Sequence, residues 1–369
     1  MGDRYYVTVG LGLLAATLLY TLWSEGEKLF KRGGSSKESE EQKVSDKNLQ
    51  KVREGLKGSY HERLKQKLAS RFPVNLELKY SLEGTTTKAP LYDNKTIRST
   101  KIKQELIDLF DKHNGRLLIV GEPGAGKTTL LLQLAHQLIV RAEEVIETTK
   151  RDDGQIPIII DIATWRSRFA TIEEWLQELL PQMGFSKALA KQMIREKRVL
   201  PFFDGLDELV EGDRPSFLEA VGKFGRDQTA RYVICSRIDE YAETADAPVY
   251  CQVMVKPLSM QQIKTGLKEI DSPESRGLLD AVKKDPLLRE AVKTPFYLNT
   301  AQFLFAEGKS LNDLGFTEST TKKRKSELIN IWVESLGDQF KISLTHRKLV
   351  LLALWLNKKS TPRFDLSDI

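Results

Sequence analysis

One short stretch, residues 121–129 (GEPGAGKTT), combines the residue types that bind phosphate. It has the spacing G-x-x-x-x-G-K-[ST], in which Gly121 and Gly126 flank four residues and Lys127 and Thr128 follow. Glycines lack a Cβ, so backbone N–H groups can approach phosphate oxygens at the positive end of a helix. Lys127 is expected to reach the β- and γ-phosphates, and the Thr128 hydroxyl to bind Mg²⁺. The other residues of this predicted phosphate loop are Glu122, Pro123, Gly124, Ala125 and Thr129.

The segments on either side of the loop decide between a phosphate site and an ordinary glycine-rich turn. Residues 117–120 (LLIV) form an apolar run into the loop, and residues 128–141 carry leucine and alanine on most faces of a helix. Strand, loop and buried helix in this order are the context in which the motif binds phosphate. The sequence therefore favours the phosphate site.

Acidic residues follow a second apolar run. Residues 199–203 lead directly into Asp204, and Asp207 and Glu208 come one turn later. Ligands bind at the carboxyl ends of strands in parallel sheets, so these carboxylates are expected near the phosphate loop. Asp204 is expected to hold Mg²⁺ directly or through water. Asp207 and Glu208 are placed to orient or deprotonate an attacking water.

A third apolar run, residues 230–235, ends just before Arg237. By the same rule Arg237 could sense or stabilise the γ-phosphate, with an ordinary solvated arginine as the alternative. Strand-like and helical segments alternate throughout this part of the chain, which predicts a parallel sheet with helices on both faces. The predicted strands are 156–162, 199–203, 230–235 and 249–255, and the predicted helices are 171–180, 187–196 and 215–224.

Near the N-terminus, residues 5–23 (YYVTVGLGLLAATLLYTLW) are uncharged. At about 1.5 Å per residue such a helix reaches about 28 Å, close to the thickness of a bilayer core. A transmembrane anchor is expected, with a cleaved signal peptide or a buried core helix as alternatives. Arg4 precedes the span whereas Lys28, Lys31 and Arg32 follow it, which places the C-terminal side in the cytoplasm.

Composition excludes few classes of function. Among 369 residues, 57 are Lys or Arg and 51 are Asp or Glu, and a net charge of +6 neither requires nor excludes nucleic acid. The basic cluster 322–325 is more simply a solvated helix start, so nucleic acid is not expected as a partner. Cys235 and Cys251 lie in apolar runs, as small core residues do. The four histidines show no ligand spacing, so no zinc site is expected.

Five stretches together resemble the NACHT domain, from the STAND class of signal-transducing P-loop NTPases. They occur in the family's order, between residues 117 and 308. They read GEPGAGKTTLLLQLA, IPIIIDIATW, LPFFDGLDEL, YVICSRIDEYA and KTPFYLNTAQFL, and the stretch VKPLSMQQI before the last of them also resembles the family. The resemblance implies ATP and ADP as ligands with Mg²⁺, and the absence of an N-K-x-D stretch agrees with adenine rather than guanine.

The resemblance also implies roles for single residues. Asp204 would serve Mg²⁺, with the small residue Gly205 typical of the position after it, and Asp207 and Glu208 would be the extra acids of the motif. Arg237 matches the family's sensor arginine. Pro295 matches a proline of the helical domain that packs near the adenine, although Thr294-Pro295 is also an ordinary helix start.

The fold implied is a P-loop NTPase parallel sheet with helices on both faces, preceded by a transmembrane helix. An all-helical domain and a partial winged-helix region would follow the sheet. The expected boundaries are 1–32 (anchor and flank), 33–98 (tether and helical linker), 99–257 (NTPase core), 258–312 (helical domain) and 313–369 (partial winged-helix region).

Two functions follow from these expectations. The first is a membrane-anchored switch in bacterial signalling or defence against phage, with ADP holding a closed monomer and ATP favouring a homo-oligomer. Its activating ligand or protein is unknown. The second is a continuously cycling ATPase motor or nucleic-acid-associated ATPase. A binder that never hydrolyses is a third reading, against which the intact acids Asp204, Asp207 and Glu208 argue.

Overall fold

The computed structural model describes residues 46–69, 78–82, 96–97, 102–150, 154–237, 251–309 and 320–339. The predicted membrane span 5–23 lies outside these residues, as does the apolar segment 349–356, whose leucines predict a further helix. Among the described helices, none is both long and apolar enough to cross a membrane.

Seven strands form one sheet in the described part of the chain. Their order across the sheet is β2-β1-β7-β3-β6-β5-β4, and the five strands from β7 to β4 run parallel. The predicted parallel sheet is therefore confirmed. The antiparallel pairing of β1 with β7 and of β2 with β1 was not predicted. The strands are β1 (Leu78–Leu82), β2 (Thr96–Ile97), β3 (Arg116–Val120), β4 (Ile156–Asp161), β5 (Val199–Asp204), β6 (Tyr232–Ser236) and β7 (Cys251–Val255).

Side chains of the central strands alternate between two hydrophobic cores. On β3, Leu118 and Val120 belong to one cluster, whereas Leu117 and Ile119 belong to the other. This alternation is the two-residue period of a strand buried on both faces, which explains why the sequence shows a continuous apolar run.

Eleven helices of the described residues surround and extend the sheet. Helices α4 to α6 contribute to the core that contains Leu118, and α2 and α3 contribute to the core that contains Leu117. Helices α7 to α11 form a separate bundle. They are α1 (Asp46–Ala69), α2 (Ile102–Lys112), α3 (Lys127–Thr149), α4 (Ile172–Gln182), α5 (Lys187–Arg195), α6 (Arg214–Phe224), α7 (Met260–Ile270), α8 (Pro273–Lys284), α9 (Pro286–Ala291), α10 (Pro295–Ala306) and α11 (Thr321–Gln339).

Local capping explains several helix starts. The Thr171 hydroxyl accepts from the Glu174 N–H at the start of α4, and Ser259 and Gln262 form a reciprocal capping box at the start of α7. Pro295 is the first residue of α10, but the preceding Thr294 makes no side-chain capping bond.

Helix α1 lies at the outer edge of the sheet, where β4 has no strand partner on one side among the described residues. The buried Tyr60 hydroxyl donates to the Pro157 carbonyl (3.0 Å) and accepts from the Ile159 N–H (3.1 Å). These two groups belong to the exposed edge of β4, so α1 satisfies them as a neighbouring strand otherwise would. Part of the predicted linker 33–98 therefore packs against the sheet.

The helical region after the sheet has its own core. Among the described residues, fifteen buried hydrophobic side chains from Leu258 to Leu328 form one cluster. Helix α11 packs on α9 and α10 and joins this core through Leu328. It is the described part of the segment expected to be a partial winged helix.

Candidate nucleotide-binding site

The predicted phosphate loop lies between β3 and α3, as the sequence suggests. Gly124 has a φ of +76° and Gly126 a φ of +100°, so both occupy the left-handed region that side chains disfavour. Gly126 directly precedes the first turn of α3, so the loop ends at the positive pole of a helix of 23 residues. This arrangement fits an anion.

Lys127 folds back over the loop. Its ammonium donates to the carbonyls of Gly121 (2.9 Å) and Glu122 (3.2 Å). Hydrogen bonds to an anion are stronger than those to a neutral carbonyl, so a phosphate oxygen in the loop can replace these partners. The position of this ammonium therefore fits the phosphates of a nucleotide.

Oxygen atoms suited to Mg²⁺ meet beside the loop. The Thr128 hydroxyl donates to one carboxylate oxygen of Asp204 at 3.2 Å, which brings the start of α3 and the end of β5 together. A hydroxyl and a carboxylate at hydrogen-bond distance are the oxygen donors that a nucleotide-bound Mg²⁺ uses. These two predicted metal ligands are thus adjacent in the fold.

A tight turn after β5 presents the remaining acids. Gly205 has a φ of +84°, and a single 3₁₀ turn, Leu206–Glu208, follows it. Asp207 is almost buried, and its carboxylate lies 2.7 Å from Nε of Arg237, which follows β6. In the sheet, β6 lies between β3 and β5. The Asp207–Arg237 pair therefore connects the turn after β5 with the end of β6, the strand next to β3 and its phosphate loop. Arg237 is thus paired with an acid of the site, while 44% of its side chain is exposed.

Glu208 has an unusual electrostatic environment. Burial raises the pKa of its carboxylate, and the charges of Asp161, Asp207 and Asp204 raise it further, whereas Arg237 acts in the opposite direction. A carboxylate with a raised pKa is a stronger base toward water near neutral pH. The arrangement suits Glu208 to accept or orient the proton of an attacking water.

Asp161 is a carboxylate of this region that the sequence interpretation missed. It ends β4 and lies in register with Asp204 on the neighbouring strand. Its carboxylate accepts from the Ala163 N–H (3.0 Å), which fixes its orientation. An acid directly after an apolar strand was the signal that identified Asp204, and the same signal was available for Asp161.

The helical region contacts the phosphate loop directly. The Phe296 N–H, at the start of α10, donates to the Gly124 carbonyl (3.2 Å), so Pro295 lies beside the loop. A Cβ on Gly124 would come within 2.6 Å of the Phe296 Cβ. Lys325 of α11 also reaches the loop, with its ammonium 3.4 Å from a carboxylate oxygen of Glu122. No feature of the sequence predicted these two contacts.

Strand order, phosphate loop and acids together define the fold. The chain has a P-loop NTPase fold. Among solved structures it is similar to PCH-2 of C. elegans, at 15% identity over 64% of this chain and 67% of that one, with a TM-score of 0.29. A similarity this distant supports no conclusion, so the assignment depends on the chain's own motif and topology. No protein-family model and no curated protein matches the chain.

Proposed function

We propose that this chain binds ATP with Mg²⁺, hydrolyses it slowly, and works as a nucleotide-controlled switch of the NACHT type. Support for nucleotide binding comes from the left-handed glycines of the loop, the Lys127 ammonium above it and the adjacent oxygens of Thr128 and Asp204. Mg²⁺, when bound, would neutralise charge that develops on the phosphates.

The other residues of the site divide the chemical work. Glu208 orients the attacking water and accepts its proton, because its raised pKa makes it a better base. Asp207 holds Arg237 close to the γ-phosphate side of the site. Arg237 then stabilises the negative charge of the transferring phosphoryl group.

The observation that carries the switch is the contact between the phosphate loop and the helical region. Phe296 packs where Gly124 has no side chain and donates its N–H to the Gly124 carbonyl. Any change in the loop on binding phosphate therefore alters the position that α10 can occupy. A ligand shifts a conformational equilibrium only through such a difference in affinity between two states.

Other parts of the proposal depend on the sequence alone. The segment 5–23 would anchor the protein in a membrane as a single span, with the NTPase fold in the cytoplasm. ATP would favour a homo-oligomer, and the biological setting would be bacterial signalling or defence. The activating ligand or protein is not identified.

Two substitutions test the assigned roles. Lys127→Ala should abolish binding of ATP and ADP, because the loop loses its central cation. Glu208→Gln should bind MgATP normally but hydrolyse it at least about a hundredfold more slowly, because the proton acceptor is gone. Glu211→Gln, an exposed acid in the next turn, is the matched control and should retain both properties. Equal loss of binding in the Lys127 and Glu208 variants would contradict the proposal.

A further inference from the structure

The phosphate loop carries a negative charge of its own. Glu122 directly follows Gly121, and its side chain is half exposed. A nucleotide triphosphate brings several negative charges to the same loop, and like charges at short range disfavour binding. The loop therefore contains a group that opposes its proposed ligand unless another group neutralises it.

Lys325 supplies a positive charge at this point. Its ammonium lies 3.4 Å from the Glu122 carboxylate and 5.1 Å from the centre of the Tyr297 ring, and its side chain is mostly buried. The Glu122 carbonyl meanwhile accepts from Lys127. Two ammonium groups, one from the loop and one from α11, thus meet the same residue.

We propose that Lys325 is a positioning residue of the nucleotide site, which acts through Glu122 by neutralising its carboxylate so that the loop accepts the phosphates. This inference rests on the proposed binding of nucleotide by the loop. Lys325 lies 203 positions from Glu122 in sequence and belongs to the helical region. Nucleotide affinity therefore depends on α11 being docked against the loop.

The pair is suited to this role more than to holding the fold together. Partly exposed ion pairs contribute little to stability, because water already solvates both charges and ordering the side chains costs entropy. Lys325→Met keeps an unbranched side chain of nearly the same length and removes the ammonium group, so the variant is expected to fold.

The test measures affinity for fluorescent ATP and ADP analogues with the full-length chain, purified in mild detergent. Lys325→Met should weaken ATP binding about threefold to tenfold at low salt, ADP binding less, and both less at high salt. The KM for ATP should rise while kcat stays the same. Lys325→Arg should restore affinity, since it restores the charge. Lys322→Met, a change on the exposed start of α11, is the matched control and should have no effect.

A double variant separates action through Glu122 from any other action of Lys325. Glu122→Gln alone should tighten ATP binding, and Glu122→Gln combined with Lys325→Met should bind about as tightly as the unchanged chain. A double variant as weak as Lys325→Met alone, or unchanged affinity in Lys325→Met, would overturn the inference while leaving the proposed function intact. Failure of the unchanged chain to bind either nucleotide would overturn both.

Discussion

Glu208 lies among three other carboxylates, Asp161, Asp204 and Asp207. Burial and three nearby carboxylates disfavour its ionised form, which raises its pKa. A group that works as a base must be ionised, so activity is expected to fall on acidification at a higher pH than an unperturbed glutamate would allow. The acid limb of the pH profile, which is the range where activity falls on acidification, therefore reports on the ionisation of Glu208.

Asp161→Asn should move that acid limb to lower pH. Removing the Asp161 charge makes ionisation of Glu208 easier and lowers its pKa. The measurement is kcat for ATP hydrolysis as a function of pH at saturating MgATP, with Glu211→Gln as the unshifted control. An acid limb that stays in place or moves to higher pH would remove Asp161 from the site.

Single residues of the site differed in how well the sequence predicted them. Thr128 and Asp204 could be paired because a motif and a topological rule place both at the same edge of the sheet, and their side chains do meet. Lys325 could not be found this way, because its partner Glu122 is distant in sequence and a lysine at a helix start is ordinary. Such a contact depends on tertiary packing alone.

At the scale of elements, helix α1 shows how one side chain can hydrogen-bond to the edge strand of a sheet. Tyr60 is 2% exposed, and burial raises the pKa of its hydroxyl to about 12, so the group stays protonated and can donate. It bonds both a carbonyl and an N–H on the free edge of β4. This hydroxyl is therefore one of the groups that attach α1 to the sheet, beside the buried Leu49 and Val52.

Tyr60→Phe should lower the free energy of unfolding by about 1–3 kcal/mol, because two buried backbone groups of β4 lose their partner. Urea denaturation of the full-length chain measures this. Tyr297→Phe is the control, since the Tyr297 hydroxyl makes no hydrogen bond within the described residues, and it should change stability little. Equal effects of the two substitutions would mean that the edge bonds contribute nothing.

Patterns of apolar residues predicted most elements and missed others for a physical reason. The strands β3 to β7 lie close to where the apolar runs predicted them. By contrast, glycine disfavours a helix, yet Gly55 and Gly58 both lie within the continuous helix α1. Packing on α3 and the bonds of Tyr60 outweigh the low helix propensity of glycine there.

At the scale of the whole molecule, the helical region and the sheet meet at the phosphate loop, through Phe296 with Gly124 and Lys325 with Glu122. A ligand that binds in the loop therefore contacts the interface between the sheet and the helical region. Reversing a two-state equilibrium from one per cent to ninety-nine per cent requires about a ten-thousandfold difference in affinity. One ion pair cannot supply this, so the phosphates must contribute most of it through the loop itself.

This arrangement predicts that the mass of the full-length chain depends on its nucleotide. With ADP, light scattering should give a monomer, because ADP lacks the γ-phosphate that favours the oligomer. With ATP, the Glu208→Gln variant should form a defined oligomer and keep it, since the nucleotide that favours the oligomer is not hydrolysed. Lys127→Ala should stay monomeric under both conditions. The contrary result would be that the unchanged chain turns over ATP rapidly while its mass stays constant. That result would indicate a continuously cycling ATPase, because hydrolysis would then proceed without any assembly of the chain.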